Sequence, residues 1–391
     1  MLPHTADTVI IGGGVIGASI AYYLSKKKVR AVLLEQGELV SGTSSACGGL
    51  IFLQSKKTGA HLALALESKK RFAGLNEELG AEIEYRNEGG LIIVEKEEEL
   101  QSIDCHIARE KKLGLEVSFL DRQEARELEP CLSENFVAAV HCPLDGQVNP
   151  IYLSLAFLEA AKRSGVKVFP LTRVTDIGLG EGRVESVITC RGKIATPIII
   201  NAAGVNAPDV GKMVKTKIPI IPRRGQVVVT ETGPQLLKRG LISAKYLEVK
   251  QAAGLGEAQE AGTSAEQTMS GNFLLGATRE FVGFDKRTTW KAMKTIVYRA
   301  TQLIPGLKDL HIIRTFAGLR PYTPDGLPIL GKVTGIDGLI IAAGHEGDGI
   351  CLAPITGELI ADLVTEGRTD FELGDFALDR FEEKRDGRLE D

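Results

Sequence analysis

The chain opens with alternating apolar and glycine-rich segments that predict a strand, a tight turn, a helix and a second strand. Residues Thr8–Ile11 are apolar or β-branched, and four of the next six residues, 12–17, are glycine. Residues 18–26 then have helical periodicity, and Ala31–Leu34 form a second apolar run that ends at Glu35. One apolar face of the helix is formed by Ile16, Ile20, Tyr23 and Leu24. The pattern predicts one complete βαβ unit.

The glycines and the acidic residue of this unit have the spacing of a dinucleotide-binding site. Gly12 permits the tight turn, Gly14 lets a pyrophosphate approach the backbone, and Gly17 lets helix and strand pack closely. The helix N-terminus offers free N–H groups and a positive dipole end to phosphates. Glu35 can accept hydrogen bonds from ribose hydroxyls and repels a 2′-phosphate, which argues against NADP. The motif alone does not separate FAD from NAD.

Further apolar runs end in segments of small residues. Residues 41–50 are rich in glycine, serine and threonine and suit a loop that lies against phosphates and a ring system. The run 197–200 ends at Asn-Ala-Ala-Gly, and Leu339–Ala343 ends at the glycine-rich loop 344–350. A helix is predicted over residues 353–365. The last three segments form a second strand, loop and helix element that can direct N–H groups at an anion.

Composition and charge exclude several classes of function. The 391 residues suffice for two packed domains or one large one, and 43% are apolar and 25% charged. A net charge of -4 without a long basic run indicates that nucleic acid is not a partner. None of the six cysteines forms a C-x-x-C pair, so no metal site is predicted. No apolar stretch is long enough to span a bilayer, which favours a cytoplasmic protein and leaves open a peripheral contact with a membrane through partners.

Together with residues 318–326 (GLRPYTPDG), these segments resemble the D-amino-acid-oxidase-like family of flavoproteins over residues 7–363. The similar branches are glycine oxidase, the sarcosine oxidase β subunit, and the flavin subunits of opine oxidases and of proline or hydroxyproline dehydrogenases. The resemblance implies an α/β fold, with an FAD-binding Rossmann-like domain of glutathione-reductase type and an inserted α+β substrate domain carrying an antiparallel sheet. The predicted FAD-binding domain comprises residues 1–85, 150–215 and 325–391, and the predicted substrate domain comprises residues 86–149 and 216–324.

The resemblance also implies a set of residues around FAD. The residues that match are Gly12, Gly14, Val15, Ile16, Gly17, Glu35, Gln36, Ser44, Ser45, Gly48, Gly49, Leu50, Val174, Ala203, Gly204, Gly318, Arg320, His345, Glu346, Gly347, Asp348, Gly349 and Ile350. Two segments depart from the family pattern. The loop 344–348 is acidic and lacks an Arg that glycine-oxidase-like sequences carry, and residues 316–318 lack the Cys that tethers flavin in monomeric sarcosine oxidase. We therefore expect non-covalent FAD.

Arg320 is the main candidate for substrate binding, because a planar guanidinium binds a carboxylate through two hydrogen bonds. In the family, the Arg of this motif holds the substrate α-carboxylate. The alternative is a structural salt bridge with Asp325. Tyr246 matches a position that hydrogen-bonds substrate, or is a half-buried tyrosine of a strand, and Tyr322 is expected to line the same pocket.

The predicted substrate domain contains an antiparallel sheet that forms the roof of a pocket. A strand is predicted over residues 90–95 and a charged helix over residues 97–113. A turn into a strand is predicted over residues 222–229, and further strands over residues 246–250, 273–278 and 312–316. Residues 251–271 have almost no bulky apolar side chains, so we predict a mobile loop that is either a lid or a flexible excursion.

The resemblance implies FAD-dependent oxidation of the C–N bond of an amino or imino acid by hydride transfer to flavin N5. Proline or hydroxyproline, opines, sarcosine and glycine are the substrate types of the similar branches. Some of these proteins are subunits of dehydrogenases whose partners carry flavin or iron–sulfur centres. Residues 272–284 lack the Lys that assists oxygen in some oxidases, which favours a dehydrogenase. The alternatives are a stand-alone peroxide-forming oxidase, an electron-relay subunit without a substrate site, and an NAD-linked dehydrogenase.

Overall fold

The computed structural model describes residues 1–251 and 262–381, and its two largest sheets have six and eight strands. The strands are β1 Thr8–Ile11, β2 Ala31–Leu34, β3 Leu50–Ile51, β4 Gly90–Val94, β5 Ser118–Asp121, β6 Ala138–Cys142, β7 Gly146–Gln147, β8 Lys167–Phe169, β9 Val174–Gly180, β10 Arg183–Thr189, β11 Gly192–Ala195, β12 Ile199–Asn201, β13 Ile221–Thr232, β14 Gly240–Ser243, β15 Ser264–Gln267, β16 Asn272–Gly276, β17 Ile312–Tyr322, β18 Ile329–Lys332 and β19 Leu339–Ala343. The helices are α1 Val15–Lys26, α2 Ala60–Phe72, α3 Leu75–Leu79, α4 Leu100–Lys112, α5 Arg122–Leu128, α6 Pro150–Arg163, α7 Ala207–Met213, α8 Ala244–Gln251, α9 Trp290–Leu303 and α10 Gly349–Thr365.

The first sheet has the strand order β18-β19-β12-β1-β2-β8, and all its neighbours are parallel except β18 and β19. Its central strands β1 and β2 are buried along their whole length, as expected for a sheet covered on both faces. Helices α1 and α10 pack together, and Ser19 Oγ donates a hydrogen bond of 2.7 Å to Ala353 O. Because β1, β2 and β12 are parallel, their carboxyl ends lie at the same edge of the sheet, and ligands bind at that edge in sheets of this kind.

The second sheet has eight strands in the order β17-β13-β16-β15-β14-β4-β6-β5. It is antiparallel except for the pair β14 and β4. The long strands β13 and β17 pair with Gly225 opposite Gly318 and Arg223 opposite Arg320. One face of this sheet packs on helix α9, whose buried residues belong to the same hydrophobic core as Phe273 of β16. The molecule thus has the expected mixture of a parallel and an antiparallel sheet.

Most sequence-based elements agree with the structure, including the strand at β4, the helix at α4 and the strand at β13. The strand predicted over residues 246–250 is wrong, because these residues lie in helix α8. Its tyrosine and valine favoured a strand, but helical contacts prevail: Lys245 and Glu248 form an i,i+3 ion pair at 2.9 Å. Helix α10 also begins at Gly349, four residues earlier than predicted, and Pro354 lies within it.

The loop predicted over residues 251–271 is also only partly correct. Gln251 ends helix α8, residues 252–261 lie outside the described part of the chain, and residues 264–267 form strand β15 between β14 and β16. The sequence of β15 is Ser-Ala-Glu-Gln, which has no strand-forming side chain. Its backbone is held by two neighbouring strands, so tertiary pairing decides its conformation. Among the described helices, none combines the length and apolar character needed to cross a bilayer.

Candidate functional site

A cavity of about 1030 Å³ extends from the edge of the parallel sheet to the underside of the antiparallel sheet. Of the residues predicted to contact cofactor or substrate, those that line it are Gly12, Gly14, Val15, Ile16, Glu35, Gln36, Ser44, Ser45, Gly48, Leu50, Val174, Ala203, Gly204, Tyr246, Gly318, Arg320, His345, Glu346, Gly347, Asp348, Gly349 and Ile350. Gly17, Gly49 and Tyr322 lie outside the lining among the described residues. The structure therefore brings segments from both ends of the chain to one elongated site.

At one end of the cavity the turn between β1 and α1 is fixed by close backbone contacts. Gly12 has φ +118°, and a Cβ there would lie 2.4 Å from Ala202 O. A Cβ on Gly17 would lie 2.0 Å from Gly12 O. Gly17 thus sets the approach of helix to strand rather than the cavity wall. The result is a helix N-terminus that faces the cavity, where phosphates are favoured.

The carboxylate of Glu35 is held in place by two backbone N–H groups. Its Oε2 accepts from Gly13 N at 2.7 Å, and its Oε1 accepts from Gly37 N at 2.8 Å. The side chain is half-buried at the tip of β2, beside the turn that precedes α1. Each carboxylate oxygen keeps further lone pairs that can accept hydrogen bonds.

The middle of the cavity is formed by the 3₁₀ turn Thr43–Ser45 and the residues after it. Ser44 Oγ accepts a 3.0 Å hydrogen bond from Val15 N, which joins this turn to the start of α1. Cys47 lines the same stretch, and burial raises the pKa of its thiol to about 12. A thiol of that kind is protonated and acts as a small packed group.

Glu266 of β15 also lines the middle of the cavity and was missed by the sequence reasoning. Its Oε1 accepts from Gly49 N at 2.7 Å, and its Oε2 has no hydrogen-bond partner in the described part of the chain. Burial raises the pKa of this carboxyl to about 7, against the opposing effects of Gly49 and Arg86. The residues of β15 were predicted to form a loop, so the alternation of a strand could not be used to predict that Glu266 points into the cavity.

Arg320 lies near the end of β17 and faces the cavity. Its Nη1 donates to Thr278 O at 3.0 Å, and its Nε lies 3.9 Å from Glu346 Oε1. The facing residue Gly225 leaves the guanidinium its space, because a Cβ there would lie 2.3 Å from Nη1. The alternative salt bridge with Asp325 is not formed: Asp325 accepts from Arg380 Nε at 2.7 Å. The guanidinium is therefore available to an anion in the cavity.

The two tyrosines predicted at this end have different positions. Tyr246 lines the cavity from helix α8, with its ring centroid 4.3 Å from the Arg279 guanidinium. Burial opposes ionisation of its phenol, but Arg279, Arg320 and Lys250 outweigh it and lower the pKa. Tyr322 was predicted to line the same cavity, but it lies outside the lining. Its ring packs 4.9 Å from the guanidinium of Arg223, so β17 places it behind the wall.

Asp348, predicted in the loop before α10, is paired with two lysines that the sequence reasoning missed. Asp348 Oδ1 accepts from Lys56 Nζ at 2.7 Å and from Lys250 Nζ at 2.9 Å. Burial disfavours the charged lysine of Lys250 and lowers its pKa, although Asp348 opposes this. The two lysines counterbalance burial and lower the pKa of Asp348. One carboxylate thus has two cations, which leaves a positive charge at this end.

The neighbouring histidine of the loop is neutral. Burial lowers the pKa of His345 to about 3, and its Nε2 lies 3.1 Å from Thr356 Oγ1. His61 is also buried, with a pKa lowered to about 3 mainly by burial. Both act as neutral hydrogen-bonding groups near pH 7.

The described residues fit an extended FAD. Helices α1 and α10 both begin at the cavity, and neither of their N-cap residues, Gly14 and Asp348, makes a side-chain capping hydrogen bond. Glu35 lies beside the α1 turn, and Arg320 with the lysine pair gives the far end a cationic character. No cluster of metal-ligating side chains occurs within residues 1–251 and 262–381. The fold and site define a dinucleotide-dependent oxidoreductase with an anion-binding pocket.

The comparisons with known proteins identify the family. A profile of the family described as DAO, FAD dependent oxidoreductase, matches residues 7–363, and the chain belongs to this family. The chain is 32% identical to glycine oxidase from Geobacillus kaustophilus (strain HTA426), over 97% of this chain and 98% of that protein. It is also 32% identical to hydrogen cyanide synthase subunit HcnC from Pseudomonas aeruginosa, over 97% of each. L-proline dehydrogenase from P. horikoshii has a similar structure, with TM-score 0.89, 30% identity and coverage of 98% and 99%. The resemblance seen in the sequence is confirmed.

Proposed function

We propose that this chain oxidises the C–N bond of an amino or imino acid. The observation that carries the proposal is Arg320, a guanidinium that lines the same cavity as the dinucleotide motif and does not form the alternative salt bridge, since Asp325 pairs with Arg380. The named relatives support it, because glycine oxidase and L-proline dehydrogenase act on amino acids. A glutathione-reductase-type arrangement of the FAD-binding domain, with the antiparallel sheet as substrate domain, is part of the same proposal.

Arg320 would bind the substrate carboxylate through two N–H groups, which fixes the position of the Cα–H bond. Tyr246, beside it in the wall, would donate its O–H to the same substrate. The α1 turn, Glu35 and the loop before α10 would hold FAD, which would act as the two-electron acceptor. No side chain is assigned as a base, because a substrate with a neutral amine needs none.

In this proposal the chain acts as the flavin subunit of a hetero-oligomeric dehydrogenase. One relative, hydrogen cyanide synthase subunit HcnC, is a subunit of a larger enzyme by name. Two surface features support a partner subunit. Strand β17 is the edge strand of its sheet, and Ile312 and Ile313 at its start are 50% and 61% exposed. Any iron–sulfur or second flavin centre would then belong to another polypeptide.

A stand-alone peroxide-forming oxidase is the second candidate, and Lys250 favours it. The lack of Lys in residues 272–284 favours a dehydrogenase when only the sequence is considered. The structure places Lys250 in the cavity wall from a different segment, so that argument does not discriminate. Measuring peroxide against dye reduction, for the chain alone and with co-expressed genomic neighbours, separates the candidates. Rapid peroxide formation by the isolated chain would count against the subunit proposal.

Anaerobic mixing of the FAD-loaded protein with amino acids, imino acids, N-methyl amino acids and opines tests the proposal. We expect at least one class to bleach the flavin absorbance. Replacing Arg320 by Lys, R320K, should weaken substrate binding at least ~30-fold, because a bidentate charged contact is lost. Arg30→Ala is the matched control, since that arginine pairs with Asp7 at the surface, far from the cavity. A colourless protein, or no bleaching by any substrate and no effect of R320K, would refute the proposal.

A further inference from the structure

The carboxyl group of Glu266 lies in the cavity wall, against the segment that is predicted to border FAD. Glu266 belongs to strand β15, and its Oε1 accepts a 2.7 Å hydrogen bond from Gly49 N. A Cβ on Gly48 would lie only 2.7 Å from the same oxygen. Gly48 and Glu266 both line the cavity. The carboxyl group is therefore packed on backbone that faces the cofactor end of the site.

This carboxyl group lacks the partners that a buried anion requires. Glu266 is 5% exposed, and its Oε2 has no hydrogen-bond partner among the described residues. Arg86 is the cation that acts on it, but the Arg86 guanidinium donates elsewhere, to Gln147 Oε1 at 2.9 Å and to Gln267 O. A buried carboxylate with so little compensation is unfavourable. The charge of the surrounding cavity therefore decides whether Glu266 holds a proton.

The side chains around this carboxyl group do not take over that proton. Burial, reinforced by Glu266, raises the pKa of the Cys47 thiol to about 12, so the thiol is neutral. Glu88 lies 3.8 Å from Arg86 Nη1 and is exposed to solvent. Leu274 of β16, which pairs with Glu266 across the sheet, is apolar. Burial raises the pKa of the Glu266 carboxyl to about 7, so its charge changes near neutral pH.

Reduction of FAD changes the charge of this cavity, because a hydride brings one negative charge with it. Two negative charges repel each other most strongly where little water screens them, so the added charge raises the pKa of a buried carboxyl group. Glu266 can relieve the repulsion by binding a proton from solvent. Its unpartnered Oε2 is the atom that can hold this proton.

We propose that Glu266 binds one proton from solvent when FAD accepts a hydride, and releases it when the two electrons pass on to the acceptor. The hydride carries two electrons and one proton, and the carboxylate takes up a second proton, so the net charge of the cavity stays constant. Glu266 is thus a positioning residue that acts through the electrostatic potential at the cofactor, without touching the substrate. The inference requires FAD but no particular substrate, and therefore goes beyond the proposed function.

The test measures the equilibrium constant for reduction of bound FAD against reference dyes, from pH 6 to pH 9. The unmodified protein is compared with Glu266→Gln, in which glutamine resembles the protonated carboxyl group. At pH 6 the two constants should agree within about twofold, because Glu266 then holds a proton in both redox states. At pH 9 the variant should be reduced at least about fivefold more readily, because only the unmodified protein then has a carboxylate beside oxidised FAD. For a two-electron couple, that factor is a difference of about 20 mV.

Two further variants complete the test. Glu266→Ala also removes the charge and should show the same difference at pH 9. Glu116→Gln, which changes an exposed carboxylate, should follow the unmodified protein at every pH. FAD content and circular dichroism report whether each variant is folded.

The outcomes separate this inference from the proposed function. Equal constants at pH 9, or a difference of the same size at pH 6 and pH 9, would overturn the role of Glu266. The proposed function would still stand, because reference dyes replace the substrate in this measurement. Failure of every amino and imino acid to bleach the flavin would instead refute the proposed function and leave the dye equilibrium unaffected.

Discussion

Lys56 Nζ lies 2.7 Å from Asp348 Oδ1 in the interior of the protein, and only 1% and 5% of the two side chains is exposed. The lysine also donates to Phe52 O at 2.6 Å. Asp348 immediately precedes helix α10, so the ion pair joins the segment after β3 to the start of a helix that borders the cavity. Burial would lower the pKa of Lys56, but Asp348 outweighs it and raises the pKa. The pair is therefore charged in the folded state.

Removing the carboxylate should destabilise the protein strongly. Asp348→Asn leaves Lys56 and Lys250 near each other without a counterion, and we expect a loss of about 3–5 kcal/mol in the free energy of unfolding. Urea denaturation of the FAD-free protein measures it. Asp362→Asn on the same helix is the control, because its ion pair with Lys27 is partly exposed and is worth less than about 1 kcal/mol. Equal losses for both variants would contradict a buried ion pair.

The part of the site that sequence reasoning predicted is the part made by local chain geometry. Gly12, Gly17 and Glu35 occur within one βαβ unit, where turn, helix start and strand tip have fixed spacing. The loop before α10 is a second local unit of that kind. For such segments, spacing along the chain already determines which groups meet.

The charged groups of the far end follow no such spacing. Lys56 and Lys250 reach Asp348 across 292 and 98 residues, and lysine is normally a surface residue. Glu266 was assigned to a loop, because the pairing of β15 with its neighbours is a tertiary effect. Arg279 follows the short strand β16 in a segment with no recognisable motif. Only the packing of the two sheets brings these side chains together.

Gly17 should not tolerate a side chain. In Gly17→Ala the new Cβ would lie 2.0 Å from Gly12 O, so helix α1 must shift away from β1. We expect a loss of about 1–3 kcal/mol in stability and a lower FAD content after purification. Gly374→Ala is the matched control, since the nearest atom to its Cβ lies at 3.9 Å. Thermal unfolding and the ratio of flavin to protein absorbance measure both variants, and full FAD content in Gly17→Ala would refute the packing argument.

Glu35 should contribute to FAD affinity rather than to the fold. Glu35→Gln keeps a hydrogen-bond acceptor but loses the charge that strengthens contacts to ribose hydroxyls. We expect the Kd for FAD to rise about 10-fold, within the range for hydrogen bonds to charged groups. Titration of the FAD-free protein with FAD, followed by flavin fluorescence, gives the Kd. Glu38→Gln, an exposed carboxylate three residues away, should leave the Kd unchanged. If both variants bind FAD like the unmodified protein, Glu35 does not contact the cofactor.

Glu266 should make stability fall as the pH rises. Burial raises the pKa of its carboxyl to about 7 from an ordinary value of 4.5, so between these values the folded state holds a proton that the unfolded state has lost. The stabilising contribution is complete below the unfolded pKa and is lost as the pH rises through the folded pKa.

Glu266→Gln removes this titration and keeps an oxygen that can accept from Gly49 N. Relative to the variant, the unmodified protein should lose about 2–3 kcal/mol between pH 5 and pH 8. Urea unfolding of the FAD-free proteins at both pH values measures the difference, with the exposed Glu116→Gln as a control. A difference that does not change with pH would mean that Glu266 is ionised in the folded protein at pH 5.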